Sequence, residues 1–151
     1  MILGIGNIFC KDDGIGSVMA RKLVSTFHGK GEIDVIDGGT TGLGLLYLFA
    51  EYSRIIVIDA VDMQGEPGEV FIFSPDDLEH AHPHGIVSTH QPGVLQLLNL
   101  GKAIGVLPEE ILILGVQVKE LGAEYGLSAE LQEKLPVIEN KLSEAIVSHL
   151  S

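Results

Sequence analysis

The chain has 151 residues, 46% of them apolar, with a mean hydropathy of +0.34, which is ample for one packed domain and excludes disorder. Its net charge of −12 and pI near 4.7, with nine Lys and Arg scattered along the chain, exclude a basic surface for nucleic acid or anionic lipid and favour cations or a basic partner segment. No apolar run approaches the roughly 18 residues of a membrane helix, the opening MILGIGN lacks the basic n-region of a secretory signal, and the single Cys10 leaves no intramolecular disulfide, which fits a cytoplasmic location.

In chain order, ILGI (2–5) reads as a short buried strand. Asp13 to about Thr26 reads as a helix, with Ile15, Val18, Met19, Leu23 and Val24 at helical spacing. EIDVID (32–37) alternates like a strand, DGGTTG (37–42) is a turn cluster, and GLLYLFAEY (44–52) is a short helix. RIIVIDAVD (54–62) is a continuous apolar run ended by acids, the pattern of a central parallel strand. MQGEPG (63–68) is a loop and EVFIFS (69–74) a strand, and the His- and Pro-rich residues 75–90 read as an irregular excursion. Val94 to Ile104 is helical and EILILGVQV (110–118) is the last strand. Ser128 suits the N-cap of a closing helix with an apolar stripe of Leu131, Leu135, Ile138, Leu142 and Ile146, in which Pro136 either makes a kink or marks the true start. The alternation predicts an α/β fold in a single domain over residues 1–151: three layers, α/β/α, with a mostly parallel twisted sheet of about five strands.

In such a sheet, ligands bind beyond the carboxyl ends of the strands. The first strand delivers Asn7, Asp12 and Asp13 there, the second Asp37, the third Asp59 and Asp62, and the last Gln117 and Lys119. The excursion ends in STHQPG (88–93), which supplies His90 just ahead of a helix. Carboxylates gathered at one edge repel one another, and a cation would resolve the repulsion. Acids with one imidazole suit zinc or nickel, whereas an all-oxygen site would suit magnesium or calcium.

Each residue also has a plainer role. Asp13 could cap the first helix, Asp37 could be a turn residue, and His90 could simply begin a helix. Asp59 ends a run of apolar residues in a central strand, where a carboxylate needs a chemical reason. HAHPH (80–84) holds three alternate histidines, His80, His82 and His84, but in a Pro-containing loop without an acid in register, so it reads as a solvent-exposed loop. Cys10 has no adjacent base and reads as a small core residue. GIGNIF (4–9) starts like a dinucleotide fingerprint but puts Phe9 where the third glycine belongs, and the Walker pattern is absent. Asp12 and Asp13 would also oppose a phosphate at the helix start.

Taken together the motifs resemble the nickel–iron hydrogenase maturation endopeptidases over nearly the whole chain. The matching residues are Gly4, Gly6, Asn7, Asp12, Asp13 and Gly16 of the first loop, the D-G-G-T-x-G turn at 37–42, Asp59 and Ala60 at the end of the third strand, Pro67 and Gly68, and S-x-H-Q at 88–91. The resemblance implies that Asp13, Asp59 and His90 are the catalytic and metal-contacting residues, with Asp37 as a possible contributor and no general base assigned. It implies cleavage of a C-terminal extension from the large-subunit precursor of a nickel–iron hydrogenase, after nickel insertion. The metal would be nickel contributed by the substrate, with zinc or cadmium able to substitute in vitro. No nucleic acid or membrane partner is implied. Members usually carry a few residues ahead of the first strand, so Met1 need not be the natural start. The residues do not distinguish carboxylate-assisted from metal-assisted hydrolysis. A non-enzymatic nickel-binding chaperone would use the same three residues, and a nucleotide-binding α/β domain is the remaining alternative.

Overall fold

In the computed structural model, which describes residues 1–80, 87–88 and 93–151, the sheet is built outward from one central strand. That strand, β3 (Arg54–Asp62), pairs in parallel with β1 (Ile2–Ile5) on one side and with β6 (Glu110–Gln117) on the other. Outside β1 lies β2 (Val35–Gly39), also parallel, and outside β6 lies β4 (Val70–Phe73), which is antiparallel. The two residues of β5 (Val87–Ser88) pair antiparallel with the end of β3. The strand order is β2-β1-β3-β6-β4, with β5 off this path. The expected mostly parallel sheet between helices is therefore what forms.

Both faces of β3 are apolar because both are covered. Ile56, Ile58 and Ala60 pack on one face with residues of α1 (Ile15–Phe27) and α5 (Ala129–Leu150). Ile55, Val57 and Val61 pack on the other with α2 (Leu46–Glu51), α3 (Pro75–His80) and α4 (Val94–Ile104). The stripe of Leu131, Leu135, Ile138, Leu142 and Ile146 is entirely buried on α5. Ser128 caps α5, its Oγ accepting from the Leu131 amide at 3.4 Å. Pro136 neither starts nor ends α5. It removes the amide that would bond the Gln132 carbonyl, and both residues stand on the solvent side, where water can satisfy that oxygen.

Three expectations need correction. The first helix begins at Ile15, because Asp12 and Asp13 belong to a preceding 3₁₀ turn, Lys11–Gly14. The second strand begins three residues later than its alternation suggests, since pairing Val35 with Ile2 carries it on through Gly38 and Gly39. The stretch 75–90 is not wholly irregular: it contains α3 and β5. Helix α3 starts with a reciprocal cap, in which Ser74 N donates to Asp77 Oδ2 at 2.7 Å and Asp77 N donates to Ser74 Oγ at 3.2 Å. The Ser74 amide, then its hydroxyl, hold the Asp77 carboxyl below the usual range.

Helix α1 lies unusually close to the sheet. A methyl group at Gly16 would overlap the carbonyl oxygens of Ile5 and Ile58, so only glycine permits this approach. The consequence is positional: the start of α1 rests on the last residue of β1 and the middle of β3 together.

Leu114, fully buried at the centre of β6, should cost about 2–5 kcal/mol when truncated to alanine, read by urea denaturation. Gly16→Ala should destabilise through overlap rather than a cavity, by about 1–3 kcal/mol in the same assay.

Candidate active site

The loop after β1 folds back on itself. Gly6 takes φ of +151°, and a side chain there would meet the Asp13 carbonyl. The reversal lets Asn7 N donate to Asp13 Oδ2 at 2.9 Å, while Asn7 Oδ1 accepts from Phe9 N at 3.0 Å. Asp13 is thereby held at 2% exposure just ahead of α1. Asp59 is fully buried in β3 and its Oδ1 accepts from Ala60 N at 2.8 Å. By strand alternation Asp59 shares a face with Val57 and Val61, the face covered by α2 and α4.

The 3₁₀ turn carrying Asp13 packs against β3. Gly16 abuts the Ile58 carbonyl, so Asp13, three residues before Gly16, and Asp59, the residue after Ile58, come to the same sheet edge. Ser88, the first residue of S-x-H-Q, pairs with Val61 at the end of β3. His90 lies outside the described residues, as do His82, His84 and Gln91. Among the described residues no group of three His, Cys, Asp or Glu side chains is placed to hold a metal ion, so Asp13 and Asp59 are the described part of the expected set.

The other acids at this edge have separate work. Asp12 is fully buried and accepts four hydrogen bonds across the fold: from Lys119 N at 2.9 Å, Glu120 N at 2.8 Å, Ser128 N at 2.7 Å and Ser128 Oγ at 2.9 Å. It ties the first loop to the segment between β6 and α5. Asp37 does not join Asp13 and Asp59 through any bond seen here: it pairs with Arg21 Nε at 2.5 Å and accepts from Gly39 N at 3.0 Å. That arrangement braces the end of β2 against α1. Asp62 accepts from the Gln64 amide and from Gln117 Nε2 at 3.1 Å, and these two donors hold its carboxyl below the usual range.

Gln117, 3% exposed, organises the loop after β3, its Oε1 accepting from Met63 N at 2.7 Å and Gly65 N at 3.2 Å. Lys119 is half exposed and nearest to Glu130, at 3.9 Å. Cys10 is not a core residue but half-buried ahead of the 3₁₀ turn. His80 ends α3 with its Nδ1 2.8 Å from the Asp76 carbonyl, so the first of the three alternate histidines belongs to a helix end.

Two carboxylates buried at one edge, held by backbone amides, can bind a cation or exchange a proton with water. A phosphate is a poor fit, because the Asn7 amide already donates to Asp13. Asp12→Asn turns one acceptor of the four-bond grip into an NH2 group facing donors. It should destabilise the fold by about 1–3 kcal/mol in urea denaturation. Asp13→Asn keeps an oxygen for the Asn7 amide and should cost less in the same measurement.

Comparison with known proteins agrees with this fold. A family model described as hydrogenase maturation protease matches residues 18–145, a stretch that contains Asp59 and the S-x-H-Q segment and begins after Asp13. The hydrogenase expression/formation protein HupD of Rhizobium leguminosarum bv. viciae is 31% identical over 121 residues, 80% of this chain and 60% of that protein. The chain thus spans about three-fifths of that relative's length. The hydrogenase 2 maturation protease of Escherichia coli (strain K12) is 28% identical over 145 residues, 95% of this chain and 88% of the relative. The solved [NiFe] hydrogenase maturation protease HybD from Thermococcus kodakarensis has a TM-score of 0.74 at 27% identity, covering 95% of this chain and 96% of that one. With the matched stretch running from α1 to α5 and taking in every strand but β1, the chain belongs to the hydrogenase maturation protease family.

Proposed function

We propose that the chain is an endopeptidase that removes the C-terminal extension of a nickel–iron hydrogenase large-subunit precursor once nickel has been inserted. The observation that carries this reading is the pair of carboxylates, Asp13 at 2% exposure and Asp59 at zero, brought from separate elements to one sheet edge in a family of proteases. Nickel belongs to the substrate. Asp13, Asp59 and His90 complete its coordination, and an apo precursor offers them nothing to bind.

Peptide hydrolysis needs a proton taken from water and returned to the leaving nitrogen. Asp13 and Asp59 are the carboxylates at this edge for that exchange, and the substrate's nickel can polarise the scissile carbonyl. Buried charges act strongly here because little water screens them. Asp37, committed to Arg21, braces the adjoining turn. The setting is the cytoplasm, where the precursor is assembled; no helix among the described residues is long and apolar enough to cross a membrane.

The nickel-loaded precursor should be cut and the apo precursor left intact, read by mass spectrometry of the C-terminus. Equal rates on both forms would remove the metal-sensing role. Asp59→Asn preserves shape and an acceptor for Ala60 N, so its circular dichroism should match the parent while cleavage falls by about 100-fold or more. Binding without cleavage by the parent chain would instead identify a chaperone. Replacing His80, His82 and His84 together should change nickel binding and cleavage little, as measured by calorimetry and the same assay.

A further inference from the structure

Close to the acid loop two aromatic rings stand in solvent. Phe9 is 64% and Tyr125 70% exposed, with centroids 5.5 Å apart and planes tilted by 50°. Leu121, 49% exposed, belongs to the same loop as Tyr125. These loops are pinned to each other. Lys11 N donates to the Glu124 carbonyl at 2.8 Å, Gly126 N to the Ile8 carbonyl at 3.0 Å, and Asp12 N to the Glu120 carbonyl at 3.1 Å. The Asp12 carboxylate grips the same segment from inside. The rings therefore sit on a stiff platform and fill no core, which is the mark of a binding surface.

The platform is continuous with the acid pair. Phe9 N donates to Asn7 Oδ1, and Asn7 N holds Asp13. Its rim is acidic: Lys11 Nζ lies 2.6 Å from Glu120 Oε2 and 3.2 Å from Glu124 Oε2, so one cation faces two carboxylates. The chain as a whole carries −12.

We propose that this platform docks the folded body of the protein substrate beside its scissile tail. An apolar side chain of the substrate seats against Phe9 and Tyr125, and a Lys or Arg next to it faces Glu120 and Glu124. This rests on the endopeptidase reading and adds to it a second anchor, which adjoins the acid pair and takes no part in breaking the bond. An anchor used equally before and during reaction changes KM and leaves kcat alone.

The test uses the full chain and the nickel-loaded large-subunit precursor with its extension intact. Phe9→Ala and Tyr125→Ala should each raise KM by about tenfold with kcat unchanged. The double variant should fall short of the product of the two effects, because the rings touch. Glu124→Lys should raise KM too, and Phe9→Leu should restore part of the loss. Tyr47→Ala, removing a ring 65% exposed on α2, should leave KM unaltered. Melting curves matching the parent establish that each variant is folded.

Parental turnover separates the two readings. Cleavage by the parent, with a KM in the double variant within about twofold of it, overturns the docking surface alone. No cleavage by the parent overturns the endopeptidase reading and the docking surface with it. A concentration-dependent dimer of the parent, abolished in the double variant, makes the platform a seat for a second copy and overturns the proposal.

Discussion

One buried carboxylate holds the working edge of this protein together. Asp12 has no exposed surface and receives four donors, three of them backbone amides, from a segment more than a hundred residues further along the chain. Hydrogen bonds to an ionised acceptor are the strong kind, and a buried donor left without one is costly. The grip fixes the far end of the loop on which Asp13 and Phe9 sit. It also ties down the segment that carries Leu121 and Tyr125 and leads into α5. Ser128 serves both ends of this arrangement, giving its hydroxyl proton to Asp12 while accepting from the amide of Leu131 in the first turn of α5.

Around that grip the fold separates support from chemistry. The apolar faces of β3 are consumed by helices, which leaves the strand's carboxyl end as the place where a charged residue can be useful. The bare backbone of Gly16 lets α1 settle against the Ile58 carbonyl, so an acid ahead of the helix and an acid within the strand come to one edge without either being on a long, flexible arm. Short tethers of this kind hold geometry better than exposed loops do.

Much of this was legible in the sequence. The continuous apolar run of β3 announces a strand covered on both sides, and the stripe of α5 matches the buried residues one for one. Asp59 stood out because a carboxylate interrupts that run. The division of labour between Asp12 and Asp13 was not legible, since adjacent aspartates look alike and the four donors to Asp12 come from far along the chain. Asp37 read as a turn residue or a contributor to the site, and its pairing with Arg21, sixteen positions earlier on α1, was not visible in the sequence. Helix α3 was hidden by the His- and Pro-rich composition after it, although Ser74 and Asp77 form a local capping signal. Gln117 was placed at this end of the sheet, but its hold on the loop after β3 was not legible, because its partners there lie more than fifty residues away.

The reach of the Asp12 grip also bears on time. Its partners Lys119 and Ser128 follow it by 107 and 116 residues. At ribosomal speeds of about 5–20 residues per second, a growing chain carries its acid loop for about 5–20 s before those amides exist. During that interval the loop can rest against β3 but lacks the segment that clamps it. The acid loop is therefore among the last parts of the molecule to be clamped: a nascent chain, or one cut short before Ser128, lacks the donors that close the Asp12 grip.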